Sequence, residues 1–321
     1  MVKPSKKDLL NAPVRDVSIN AKTSIRELVA QFGSAGGFVA KDVSIASSVL
    51  AKMFSRKECL TFLSHPADIV ATGTRGVIRD LVKNKLVDCV ITTCGTLDHD
   101  LARLWQDYYN GSFFLDDAML YHEGVNRLGN VLVPNESYGI VLEEKLQPLL
   151  AKIHAEGRKD LSTADLVREI GRHLEGEKRK EESIIYWAYK NGIPVFIPGP
   201  TDGAVGFQLY MFMKKHSDFK VDVFKDERQL SNLVLGSREA GALMIGGGIS
   251  KHHTIWWNQF RDGLDYAVYI TTAVEYDGSL SGAPLREAVS WGKVKEDAKQ
   301  VTVYGDATVL LPLIVAGALG E

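Results

Sequence analysis

The sequence predicts an α/β fold whose mostly parallel sheet carries helices on both faces. Six short runs are apolar at successive positions, which is typical of strands that are buried on both sides. Amphipathic stretches with helical spacing lie between these runs, and this alternation indicates a doubly wound, Rossmann-like arrangement. The predicted strands are residues 59–63, 88–93, 194–197, 242–245, 266–271 and 301–304.

Two of the predicted helices have the clearest signals. Residues 183–190 are amphipathic and end at Asn191 and Gly192, and Pro194 follows as a stop signal. Residues 74–86 are spaced so that their apolar side chains share one helical face. These side chains are Val77, Ile78, Leu81, Val82 and Leu86.

Length and composition predict one main domain. The chain has 321 residues, of which 45% are hydrophobic and 24% are charged, as in an ordinary globular protein. We interpret residues 1–25 as a short N-terminal arm and residues 26–321 as a single α/β domain, because no shift in composition separates a second one.

Charge and hydropathy disfavour several classes of protein. A net charge of -2 gives no global basic field for nucleic acid or an anionic membrane, so neither partner is expected. No apolar run reaches the roughly 18–20 residues of a membrane helix, and residues 1–16 lack the apolar core of a signal peptide. Three cysteines without close pairing favour a reducing compartment, and we expect the protein in the cytoplasm.

Small, flexible or short polar residues follow every predicted strand. In a parallel sheet these turns share the carboxyl edge, where glycines and helix N-termini can approach a phosphate and aspartates can accept ribose hydroxyls. The alternative is that Gly and Asp simply form tight turns. The chain has no GxGxxG motif, so the ordinary dinucleotide fingerprint is absent. The turns are residues 64–68, 92–95, 198–203, 246–248, 271–273 and 305–307.

Residues 277–293 combine a loop with a candidate nucleophile. Lys293 follows Trp291 and Gly292, and partial desolvation there would lower the pKa of the amine and favour nucleophilic attack. Taken alone, a lysine in such a sequence is more often an ordinary surface residue. No metal is expected, because adjacent His252 and His253 point about 100° apart on a helix and His122 has no HExxH partner.

Longer motifs resemble the deoxyhypusine synthase family over nearly the whole chain. GGGISKHH at 246–253 stands in register with DYAVYITTAVEYDGSLSGAPLREAVSWGK at 265–293. The similarity extends upstream through IIYWAYKNGIPVFIPGPTDGAVG at 184–206, HEGVNRLGNVLVPNESYG at 122–139 and IRDLVKNKLVDCVITTCG at 78–95. The chain is therefore identified as a divergent, archaeal-type member of this family.

The resemblance implies an NAD-dependent aminobutyl transfer from spermidine to one lysine of the translation factor 5A precursor. It implies that Lys293 carries the group as an imine, that His252 relays a proton, that Trp291 stacks over the amine chain and that Glu287 holds an ammonium. It also implies a homotetramer, a dimer of dimers. The implied substrate-binding residues are Asp98, His99, His252, Gly278, Ser279, Glu287, Trp291 and Lys293.

The resemblance also implies which turn residues contact NAD. Departures from the eukaryotic-type pattern occur at the first of these turns, where Ala67 and Asp68 replace Ser and Asn, and at His99, where a glutamate is expected. Phe207 and Leu280 replace two aspartates that bind the polyamine, so either other acids such as Glu287 and Asp98 compensate or the amine donor differs. The implied cofactor contacts are Ala67, Asp68, Thr93, Cys94, Gly95, Asp202, Gly246, Gly247, Thr272, Ala273, Asp306 and Ala307.

Two other functions stay open on the sequence. A homospermidine synthase-type enzyme would move the same aminobutyl group onto free putrescine. An inactive paralogue would bind NAD and act as a scaffold, which the changes at Phe207 and Leu280 favour. Retention of Lys293, His252 and Glu287 favours an active enzyme.

Overall fold

The computed structural model describes residues 5–319. Residues 1–4 of the predicted arm and residues 320–321 of the predicted domain lie outside the described residues. The strands are β1 Cys59–Ser64, β2 Cys89–Ile91, β3 Tyr109–Asn110, β4 Val125–Leu128, β5 Val131–Pro134, β6 Asp160–Leu161, β7 Val195–Phe196, β8 Lys220–Val221, β9 Glu239–Ile245, β10 Leu264–Thr271 and β11 Val294–Tyr304.

The α-helices cover both faces of the main sheet, and several of them begin at its carboxyl edge. They are α1 Lys6–Leu9, α2 Ile25–Phe32, α3 Phe38–Ser55, α4 Arg75–Lys83, α5 Cys94–Trp105, α6 Asp117–His122, α7 Gly139–Ala155, α8 Thr163–His173, α9 Ile184–Asn191, α10 Ala204–Lys215, α11 Val223–Leu235, α12 Ile249–Asn258, α13 Leu285–Val289 and α14 Ala307–Ala318. Within residues 5–319 no helix is both long and apolar enough to cross a membrane.

Six strands form the main sheet, in the order β7-β2-β1-β9-β10-β11. Every neighbouring pair is parallel. In chain order these strands rank 3-2-1-4-5-6, which is the order of a dinucleotide-binding Rossmann sheet. All six predicted strands are in this sheet, so the predicted α/β class is confirmed. The winding direction reverses between β1 and β9, and a crevice is expected at the carboxyl ends of these two strands.

Both faces of the sheet are buried, which explains the unbroken apolar runs. Leu63 of β1 and Leu243 of β9 point into a core that α3, α4 and α14 cover. Their neighbours Phe62 and Met244 point the opposite way, into a core that α11, α12 and α13 cover. All four side chains are completely buried, and each contributes about 1.5–3 kcal/mol by leaving water.

The two helices predicted most clearly are present. In α9, the Ser183 hydroxyl accepts a hydrogen bond from the Tyr186 amide, and Gly192 ends the helix with φ of 69°. The α4 helix ends at Lys83, three residues before the predicted end. Lys85 adopts a left-handed φ of 54°, which stops the helix although Leu86 keeps the apolar spacing.

Two small sheets were absent from the prediction. Strands β3, β5 and β4 form an antiparallel sheet, and β6 pairs with β8 in parallel. These strands have only two to four residues, too few to show a period. The antiparallel sheet lies beside His99 and forms one wall of a second cavity.

Candidate active site

Lys293 is buried at the turn between α13 and β11. Its side chain is only 8% exposed. Gly292 adopts φ of 65°, which a residue with a Cβ rarely does, and this lets the chain reverse so that the Lys293 amide donates to the Ala288 carbonyl at 3.0 Å. The Lys293 carbonyl then accepts from the Leu264 amide at 3.1 Å, at the start of β10. The turn therefore fixes the lysine with its side chain directed inward.

A cavity of about 300 Å³ lies between α12, α13 and the loop before α13. The four predicted catalytic residues, Lys293, His252, Trp291 and Glu287, all line it. Two come from the turn after α13, one from α13 itself and one from α12, so the fold brings together side chains that are 41 positions apart in sequence. Glu287 is solvent-exposed at the mouth of the cavity.

The ammonium of Lys293 lies beside the imidazole of His252. The distance between Lys293 Nζ and His252 Nε2 is 3.4 Å. Burial lowers the pKa of His252, and the nearby charges of Lys293 and His253 lower it further. At neutral pH the imidazole is therefore uncharged, and in the tautomer protonated at Nδ1 its Nε2 can accept a proton from the lysine.

Two tryptophans flank the same amine. Lys293 Nζ is 5.2 Å from the ring centroid of Trp291 and 5.5 Å from that of Trp256. Trp256 was not among the predicted site residues. It lies four residues after His252 on α12, so helical spacing alone would have placed it on the same face as the histidine.

Lys251 is a second lysine of the cavity that sequence analysis missed. It is 2% exposed, and its ammonium donates to the carbonyls of Leu280 and Ala283 at 2.8 and 2.6 Å. The same nitrogen is 3.8 Å from the ring centroid of Tyr269. Burial lowers the pKa of Lys251 to about 8. Lys251 thus ties α12 to the loop formed by residues 278–284.

The 278–284 loop joins the cavity to the edge of the sheet. The Ser281 carbonyl accepts hydrogen bonds from the Tyr269 hydroxyl at 2.6 Å and from the Thr271 hydroxyl at 3.1 Å. Ser281 also packs against Gly247, where a Cβ would lie 2.3 Å from the Ser281 Cα. The predicted substrate residues Gly278 and Ser279 lie in the exposed first part of this loop.

The predicted cofactor residues gather at the carboxyl edge of the sheet. Gly246 adopts φ of 62°, and a Cβ there would be 3.3 Å from Pro66 in the turn after β1. A Cβ at Gly95 would lie 2.8 Å from the Cβ of Ala67, so the turns after β1, β2 and β9 touch one another. Both glycines lie where the winding direction reverses, and the residues present fit a dinucleotide there.

The other predicted cofactor residues are at the same edge. Thr93 and Cys94 begin α5, Ala307 begins α14, and Ala273 follows β10. The exposed side chains are those of Asp68, Asp202, Thr272 and Asp306.

Two of these edge residues have structural roles within the chain. The Asp306 carboxylate caps α14 by accepting from the Thr308 amide at 2.8 Å. Burial raises the pKa of the Cys94 thiol to about 12, so this cysteine is a packing residue and not a nucleophile.

The structure does not place Asp98 or His99 in the Lys293 cavity. The buried Asp98 carboxylate accepts from the amides of Ala204 and Val205, both at 2.8 Å, and from the Tyr138 hydroxyl at 2.7 Å. Burial raises the pKa of Asp98. Its oxygens therefore cap α10, which carries the exposed Phe207.

His99 faces a separate cavity of about 650 Å³, which it lines with Tyr138. Its Nδ1 is 3.0 Å from the Tyr108 hydroxyl, and burial lowers its pKa to about 4. In the part of the chain that the structure describes, no three His, Cys, Asp or Glu side chains are grouped so that they could hold a metal ion.

The matching family model and the similar known sequences agree on one family. The family described as deoxyhypusine synthase matches residues 27–318. A Picrophilus torridus protein named "Probable deoxyhypusine synthase" is 58% identical over 309 residues, which are 96% of this chain and 97% of that protein. A Thermoplasma acidophilum protein with the same name is 56% identical over 311 residues, which are 97% of this chain and 98% of that protein.

A solved structure supports the fold. A crystal structure from Entamoeba histolytica that is assigned as a deoxyhypusine synthase matches with a TM-score of 0.66. The match covers 95% of this chain and 96% of that chain at 20% sequence identity, so it is a likeness of fold.

Proposed function

Because the chain belongs to the deoxyhypusine synthase family, whose members are aminobutyltransferases, we propose that it transfers the aminobutyl group of spermidine to one lysine of the translation factor 5A precursor. Bound NAD would accept hydride from the carbon beside the secondary amine of spermidine and return it at the end of the cycle. The observation that carries this proposal is the buried amine of Lys293, 3.4 Å from an uncharged imidazole and flanked by two indoles.

The transfer step follows from these groups. The Lys293 amine adds to the carbon of the oxidised substrate imine, forming a C–N bond, and the bond from that carbon to the departing diaminopropane breaks. His252 takes the proton from Lys293 Nζ and delivers it to the departing nitrogen. The acceptor lysine then attacks the same carbon and releases Lys293, which leaves an imine on the acceptor. Hydride returned by the reduced cofactor would convert this imine to the amine, so the complete cycle has no net redox change.

The other residues of the cavity hold the amine. Trp291 offers an exposed indole over which an aliphatic chain can stack, and Glu287 offers a carboxylate at the mouth for a terminal ammonium. At the sheet edge, Gly95, Gly246 and Gly247 would let backbone amides approach the pyrophosphate of NAD. The exposed Asp68 and Asp202 would accept its ribose hydroxyls, a role they would share with Thr272 and Asp306.

We also propose that the protein is a cytoplasmic homotetramer, a dimer of dimers. Large apolar side chains are exposed on its surface, among them Phe114, Tyr276 and Phe224, which are 96%, 89% and 80% exposed. Exposed aromatic residues of this size are typical of subunit interfaces. Light scattering on the eluted protein should give four times the chain mass of 35.4 kDa.

Borohydride trapping tests the proposed mechanism. The protein is incubated with NAD and spermidine, reduced with borohydride and analysed by peptide mass spectrometry, and we expect an aminobutyl adduct on Lys293. Lys293→Arg should lose the adduct and the turnover, whereas Lys299→Arg, at an exposed lysine of β11, should keep both. An adduct on another lysine, or unchanged turnover of Lys293→Arg, would contradict the assignment.

The acceptor is tested in the same assay. Labelled spermidine is supplied with either the factor 5A precursor or putrescine, and label is expected only in the protein acceptor. Label in homospermidine would favour the homospermidine synthase reaction, and no transfer to either acceptor would favour an inactive paralogue. The similarity to the archaeal relatives favours neither alternative.

A further inference from the structure

We propose that Trp256 determines specificity in this reaction, because with Trp291 it forms a two-sided indole clamp on the amine donor that enters the cavity beside Lys293. The proposal rests on the proposed function, since it concerns the same cavity. It adds a residue of α12 to those of the 291–293 turn that lie near the reacting nitrogen.

The position of the nitrogen is the main evidence. Lys293 Nζ lies at nearly equal distances from the two indoles, 5.2 Å from the centroid of Trp291 and 5.5 Å from that of Trp256. Both indoles line the cavity into which the nitrogen points. An amine chain beside Nζ therefore has both aromatic rings within reach.

Trp256 is held in this position by one neighbour on α12 and one in the short turn that follows this helix. Its ring lies 5.8 Å from that of His252 with an interplanar angle of 32°, and Phe260 meets it edge to face at 6.0 Å and 89°. Even so, Trp256 remains 42% exposed. The next residue, Trp257, turns away and donates from its indole nitrogen to Glu227 at 3.0 Å. The hydrophobic core therefore does not depend on the Trp256 side chain.

The charges of the cavity supply the second argument. Its lining contains two lysines, Lys251 and Lys293, and among the lining residues of the described chain Glu287 is the single carboxylate. A polyamine carries two or three positive charges at neutral pH, so carboxylates alone cannot balance it here. An indole face attracts a cation through its quadrupole while also covering methylene groups.

Leu280 stands where the family resemblance implies a polyamine-binding aspartate, and it lines the same cavity. An apolar side chain there favours methylene groups over a second ammonium. The clamp therefore selects a secondary aliphatic amine with its flanking methylenes. Recognition would depend on the aromatic faces more than on the number of charges at the ends of the donor.

Binding measurements separate the clamp from the chemistry. Spermidine is titrated calorimetrically into protein loaded with NADH, which cannot take a further hydride, so binding is read without turnover. Trp256→Phe keeps an aromatic face and should bind within about threefold of the wild type. Trp256→Leu keeps apolar bulk without the face and should bind about tenfold more weakly, as expected for one lost cation–π contact.

Controls and outcomes make the test decisive. Trp187→Phe, at a tryptophan on α9 outside the cavity, should match the wild type, and thermal melting checks that each variant is folded. Equal binding by Trp256→Leu and the wild type would overturn the clamp, as would no spermidine binding by the wild type. Weaker binding by Trp256→Leu without a borohydride adduct on Lys293 would leave the clamp standing and refute the proposed function. An adduct on Lys293 together with unchanged binding by Trp256→Leu would support the proposed function and refute the clamp.

Discussion

The pair formed by Lys293 and His252 sets the chemistry at the scale of single residues. An amine attacks carbon only when it has lost its proton, and a base within hydrogen-bonding distance provides the route for that proton. His252 Nε2 is at 3.4 Å, and burial together with the charge of Lys293 lowers the pKa of the imidazole below its usual 6.5. The site therefore holds its base uncharged at neutral pH.

The dependence of kcat/KM on pH should reveal the protonation of His252. Because the pKa of His252 is lowered, kcat/KM should stay level as the pH falls to 6.5 and decline only below that value, where the imidazole gains a proton. His252→Gln should lose this acid decline, and its rate should fall on the order of 100-fold. A decline centred above pH 6.5, or one that persists in His252→Gln, would argue against His252 as the base.

Sequence similarity implied the chemical groups of the site but not their surroundings. Lys293, His252, Trp291 and Glu287 lie on one cavity, as the motifs led us to expect. The part played by Trp256 depends on how α12 packs against the turn at 291–293, which no local pattern encodes. Asp98 was expected to offer a carboxylate to the amine, yet its oxygens cap α10, a contact made across 106 positions of sequence.

At the scale of elements, the 278–284 loop couples the cofactor edge to the amine cavity. It is held at three places, by Lys251 beneath it, by the hydroxyls of Tyr269 and Thr271, and by the close approach of Ser281 to Gly247. The approach to Gly247 is the tightest of these, because a Cβ there would lie 2.3 Å from a backbone atom of the loop.

Gly247→Ala should therefore displace this loop. The new methyl group overlaps the backbone of Ser281, which has no flexible end that could move aside. We expect faster hydrogen exchange and faster proteolysis within 278–284, together with a higher KM for spermidine. Gly176→Ala is the matched control, because nothing lies within 4 Å of its added Cβ. Unchanged exchange in the loop of Gly247→Ala would show that the contact does not hold it.

Apolar runs predicted the strands that are buried on both faces well and the partly exposed strands poorly. Strands β1, β2, β7, β9 and β10 are buried on both faces, so their composition identifies them. Strand β11 was predicted from residue 301 but begins at Val294. It is an edge strand, and its residues 295–300, apart from Ala298, are polar and are partly or fully exposed, which hides the strand pattern.

At the scale of the whole molecule, the strand order could not be predicted from the sequence. Each apolar run is able to pair with any other, and only the packing of the crossover helices selects the order that places β1 beside β9.

One buried polar cluster connects the β2 side of this arrangement to α9. Asp100 on α5 is completely buried and accepts from Arg75 on α4 at 2.7 Å, from the Ser183 hydroxyl at 2.6 Å and from the amides of Ile184 and Ile185, both at 3.1 Å.

Asp100→Asn should therefore lower the stability of the whole domain. The substitution removes the negative charge from a buried ion pair whose arginine is only 4% exposed, and it places amide protons against the donors of α9. Breaking such a pair costs about 3–5 kcal/mol, because the remaining charge stays buried without its partner. Asp80→Asn breaks an exposed pair with Arg79 at 2.8 Å and should change the free energy of unfolding by no more than about 0.5 kcal/mol. Urea denaturation of both variants measures the difference directly, and similar midpoints for the two would mean that the Asp100 cluster does not hold α4, α5 and α9 together.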